Sequence, residues 1–152
     1  MKKIALSIEQ MRKLQKLGVD TSDASMVLIA TDDDGCGLLW EEAEKAIKHH
    51  LYDVYFNIYY VESSSYDHFF KKECGVFTLQ DILGKLPRHI NDFGTKYKLH
   101  IEPTFAGPWC ISYQIGICEP FVFKLAENPL NAAYDMLCWC IENGYVKVGK
   151  EE

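Results

Sequence analysis

The chain lacks any run of about twenty apolar residues, the length a helix needs to cross a bilayer, so no membrane span is expected. No secretory leader is expected either: in MKKIALSIEQMRKLQ only Ile4 to Leu6 are apolar before polar residues return, too short for the apolar segment of a signal peptide. Positive charge is in short supply, with 16 Lys and Arg against 22 Asp and Glu and a net charge of -6. A phosphate backbone is gripped mainly by cations, so no nucleic acid partner is expected. The six cysteines contain no C-x-x-C pair, and in the helical pair Cys138 and Cys140 the two thiols point to different faces, which speaks against zinc. With no leader, the expectation is a cytoplasmic, reduced protein whose cysteines act as small buried hydrophobes. Repeats, low-complexity tracts and linkers are absent too. What is present is an ordinary globular composition: 152 residues, 48% hydrophobic and 25% charged, enough for a single domain over 1–152 with one core.

The elements are well punctuated. Ser7 and Gln10 form a capping box, Ile8, Met11, Leu14 and Leu17 recur at helical spacing, and Gly18 offers a left-handed stop, which predicts a helix over 8–17. MVLIAT at 26–31 reads as a strand, and Leu39, Trp40, Ala43, Ile47, His50 and Leu51 make the stripe of a second helix. YDVYFNIYYVE, dense in aromatic and β-branched residues, reads as another strand; FFKKECG is ambiguous. Thr78 and Asp81 open a short third helix that Pro87 ends. YKLHIEP alternates, with Tyr97, Leu99 and Ile101 on one face and Lys98, His100 and Glu102 on the other, and pairs with WCISYQIGI as an antiparallel hairpin. Asn128 caps a final helix with Pro129 in its first turn and Gly144 beyond its end. The fold class that follows is α+β: a mostly antiparallel sheet of about four strands, packed by about four helices, the C-terminal one lying on the sheet.

The densest chemistry is in TDDDGCG. Read as a calcium loop with Gly35 sixth, it places Asp32 third, Asp34 fifth and Glu41 twelfth, but the first ligand falls on Ala30. The same Asp32-x-Asp34-Gly35 after an apolar strand resembles the signature of the haloacid dehalogenase-like phosphotransferases. That resemblance implies Asp32 as nucleophile, Asp34 as general acid or base, and Mg2+ joining them at the carboxyl end of a parallel strand. The chain departs from that pattern at Cys36 and Gly37, and no later acidic pair follows a strand to complete a metal site. His49 and His50 diverge by about 100° on a helix and do not share a metal; no nucleophile elbow or triad motif is present. The aspartates are fully accounted for as a turn that initiates a helix, acidic at its head and basic at its tail, with Glu41 to Lys45 and Glu44 to Lys48 as i,i+4 pairs.

The pieces LSIEQMRKLQKLGVDTSDASM, FTLQDILGKLP and AAYDMLCWCIENGYVK are similar, in order and wording, to a set of small uncharacterised proteins of gut bacteria carried by phages or other mobile elements. The resemblance implies no assigned activity, cofactor or catalytic residue. The sequence thus favours a non-catalytic binding or regulatory module, of the immunity or anti-defence type, with a protein partner and no cofactor. Trp109 and Tyr113, on a hairpin with one face open to solvent, are the candidate contact residues. The alternative is a magnesium-dependent phosphatase or nucleotide-processing enzyme using Asp32 and Asp34.

Overall fold

The computed structural model describes residues 4–31, 57–62 and 75–149. They belong to two compact units, one formed by 1–20 with 78–152 and the other by 21–77. The fold is α+β, with three helices among the described residues. The helix expected over 39–51, which would be a fourth, lies outside them.

The 21–77 unit carries a three-stranded sheet of β1 (Met26–Thr31), β2 (Asn57–Glu62) and β3 (Gly75–Val76). β1 is central and antiparallel to both neighbours: Met26 stands opposite Glu62 on one side and Val76 on the other. The two strands read from the sequence are therefore partners in one sheet, and the ambiguous FFKKECG ends in its third strand.

The other unit begins with α1 (Ile8–Lys16). Its capping box is formed: Ser7 Oγ accepts from the Gln10 amide at 3.2 Å while the Gln10 side chain accepts from the Ser7 amide at 3.0 Å. Two of the helix's otherwise unpaired donors are thereby satisfied. Ile8, Met11 and Leu14 are buried along one stripe. α2 (Leu79–Lys85) starts in the same way, with Thr78 and Asp81 exchanging hydrogen bonds, and stops at Leu86, whose extended backbone is what a following proline imposes.

Four strands follow as an antiparallel meander: β4 (His89–Asp92), β5 (Thr95–Pro103), β6 (Trp109–Gln114) and β7 (Val122–Ala126), in the spatial order β4-β5-β6-β7. The expected β5–β6 hairpin is present, with Pro103 opposite Trp109 and Lys98 opposite Gln114. β4 and β7 extend it on either side. The β4–β5 turn has two residues, Phe93 at φ 47° and Gly94 at φ 81°. Two positive φ values in succession give the turn whose twist matches that of the strands it joins.

α3 (Pro129–Glu142) closes the unit and packs on β6, β7 and α2. Asn128 Oδ1 accepts from the Asn131 amide at 2.8 Å, and Gln10 of α1 donates to the Asn131 side chain at 3.1 Å. Leu130, Ala132, Ala133, Met136, Leu137, Cys138 and Cys140 are all buried, so the helix is covered over a wider arc than its sequence stripe. Its C-terminal end joins an aromatic cluster: Tyr97 stacks on Phe121 at 4.8 Å, Trp139 stacks on Tyr145 at 5.4 Å, and Phe121 meets Trp139 edge-on at 6.1 Å. Offset and edge-on rings add about 0.5–1.5 kcal/mol per pair beyond the area they bury.

Candidate interaction face

In an antiparallel sheet, residues directly opposite one another point to the same face. The registers of the meander therefore sort its side chains into two sets. Leu99, Tyr113 and Val122 form one row, Ile101, Ile111 and Lys124 the next, on the side that α3 covers. Lys124 and Lys13 both act on Asp135 of α3, which places that helix beside β7 and α1.

The opposite face has a row of His89, Lys98 and Gln114, then one of His100, Ser112 and Phe123, then one of Glu102, Cys110 and Leu125. Lys96 stands beyond the first row, opposite Asn91. Lys96, Lys98, His89 and Glu102 are exposed, and so are Phe123 at 53% and Leu125 at 50%, values high for large apolar side chains on a strand. Ser112 is buried and directs its hydroxyl to Gln114 at 3.2 Å, so the centre of this face is low and polar. Desolvation, followed by the charges of Lys96, Lys98 and Arg88, holds His89 below its ordinary pKa. On β6, desolvation and the Glu102 carboxylate raise the Cys110 thiol.

The residues singled out from the sequence fall elsewhere. Tyr113 is fully buried, not exposed: its position in the β6 alternation turns it toward α3, where its hydroxyl donates to the Pro87 carbonyl at 2.7 Å and shares a hydrogen bond with the Cys140 thiol. Trp109, two positions from Ile111, belongs to the same face and is half-buried. The exposed apolar residues on this sheet that the sequence reading missed are Phe123 and Leu125. Their signal is the alternation in FVFKLA, which marks a strand but does not say which side a helix will cover.

Asp32 and Asp34 lie outside the described residues, immediately after β1. The phosphotransferase resemblance needs the end of a parallel strand, and β1 is antiparallel to both of its neighbours. Among the described residues no group of three His, Cys, Asp or Glu side chains is placed to hold a metal ion. No described helix is long and apolar enough to cross a membrane. No protein-family model, curated protein or solved structure matches the chain.

Proposed function

We propose that this protein is a non-catalytic binding module of a mobile element, of the partner-blocking kind represented by immunity and anti-defence factors. Its contact surface is the uncovered face of the meander together with the turns at its ends. One observation carries the reading. Of the eight large apolar side chains exposed among the described residues, only Ile4 lies outside the meander. Phe93, Phe105 and Ile117 are fully exposed in its turns, and Phe123 and Leu125 stand on its open face. Scattered exposed apolar residues need no explanation, but concentration of this kind marks interaction surfaces.

The experiment is affinity capture from the source organism with the wild-type chain and with a Phe123→Asp/Leu125→Asp variant. Both side chains are half out in solvent, so the variant should keep its melting temperature while losing a partner that the wild type retains. Equal recovery of the same proteins by both chains refutes the assignment of this surface.

A further inference from the structure

We propose that the uncovered face of the meander binds single-stranded nucleic acid, with Lys96 and Lys98 holding phosphates and Phe123 stacking on a base. The inference rests on the reading of this face as a binding surface and names its partner.

The first support is the sorting of charge. The chain as a whole carries -6, and that total argues against a polyanionic ligand. The sum hides a local reversal. Lys96 and Lys98 alternate onto one face of β5, and the pairing of β4 brings His89 directly opposite Lys98.

The second support is what lies beside the cations. Phe123 is two strands away from His100, with the small, buried Ser112 between them. Strand spacing makes that crossing about 10 Å. Among the described residues, a chain of nucleotides lying across it meets the two lysines toward one end and an exposed ring at the other, with Ser112 between. Backbone charge neutralisation combined with aromatic stacking is how single strands are held without sequence preference. A duplex offers no unstacked base to Phe123, and a flat sheet face offers no element to enter a groove. Glu102, in the row beyond His100, bounds the path on the far side.

The test is fluorescence anisotropy of the full chain with a labelled single-stranded oligonucleotide of about ten nucleotides, in DNA and RNA form, over a series of salt concentrations. Wild type should bind at low salt with an affinity falling as about the 1.4 power of salt concentration, since two cations each release roughly 0.7 counterion. Lys96→Glu/Lys98→Glu should weaken binding at least about tenfold and flatten that slope. Phe123→Ala should weaken it about fivefold at an unchanged slope, because stacking releases no ions. Lys96→Gln/Lys98→Gln serves if the charge reversal does not fold. Binding unaffected by the lysine substitutions, tighter binding of a duplex of the same composition, or no binding by wild type each overturns the proposal. If the oligonucleotide fails while a captured protein depends on Phe123 and Leu125, the binding module stands and its partner is a protein. If neither binds, both readings fall.

Discussion

Replacing Tyr113 with Phe removes one hydroxyl from the core and leaves its ring in place. The ring is fully buried, and the hydroxyl donates to the Pro87 carbonyl at 2.7 Å, tying β6 to the segment that follows α2. The Cys140 thiol of α3 is bonded to the same hydroxyl. In the variant the carbonyl loses its donor and the thiol its strong partner. A net hydrogen bond is worth about 1 kcal/mol and a stranded buried acceptor adds about 1 more, so the expected loss is about 2 kcal/mol at pH 7. With a urea dependence of about 2 kcal/mol per molar, the unfolding midpoint should fall by about 1 M at constant slope. The variant should also respond differently to alkali. Burial raises the Tyr113 pKa above its ordinary 10.0, with Cys140 adding to the effect, and pushes the Cys140 thiol from 9.0 up to about 11. A folded chain that keeps a proton which the unfolded chain has released loses stability as pH rises. The contribution is intact below the unfolded pKa and declines above it, by at most about 1.4 kcal/mol per pH unit and group. Wild type in reductant should therefore weaken from about pH 9 through Cys140 and more steeply from about pH 10 through Tyr113. The phenylalanine variant escapes the second loss, so the gap between the two proteins should narrow between pH 10 and pH 11. Destabilisation under about 0.5 kcal/mol at pH 7, or a gap of constant size, refutes this account of the core.

Three further outcomes are expected. A Cβ at Gly18, which has φ +95°, would stand 2.5 Å from the Gly149 carbonyl oxygen, so Gly18→Ala should cost at least about 2 kcal/mol in a thermal melt, part of it recovered when residues 148–152 are deleted. Phe93 is fully exposed at φ 47°, a conformation asparagine tolerates better, so Phe93→Asn should stabilise the protein by up to about 1 kcal/mol; a lower melting temperature counts against that reading. Thiol alkylation followed by peptide mapping should modify exposed Cys118 before buried Cys138 and Cys140, whose thiols burial raises; early modification of Cys140 contradicts its place in the core.

Helix ends were legible because their chemistry is local. Ser7 with Gln10, Thr78 with Asp81, and Asn128 before Pro129 act across three or four residues, and each is found as read. The β5–β6 hairpin was legible for a similar reason, since the alternation in YKLHIEP and the turn beside it are both contained in one stretch. β3, β4 and β7 were not. They span 2, 4 and 5 residues, too short for periodicity to declare, and exist by pairing with a strand already formed.

The sequence by itself determined the α+β class, the caps and the fact that Trp109, Ile111 and Tyr113 share one side of a strand, because these follow from backbone chemistry and a period of two. Only the tertiary structure decided which side that is. Once α3 lies across β6 and β7, Tyr113 becomes core and Phe123 and Leu125 become surface, although all three are apolar residues in alternating runs. The same holds for charge. A net value of -6 is a property of the chain, whereas the placement of His89 against Lys98 exists only because β4 pairs with β5. A local potential follows from where charges are placed and not from their sum, and on this sheet that placement is set by the strand register.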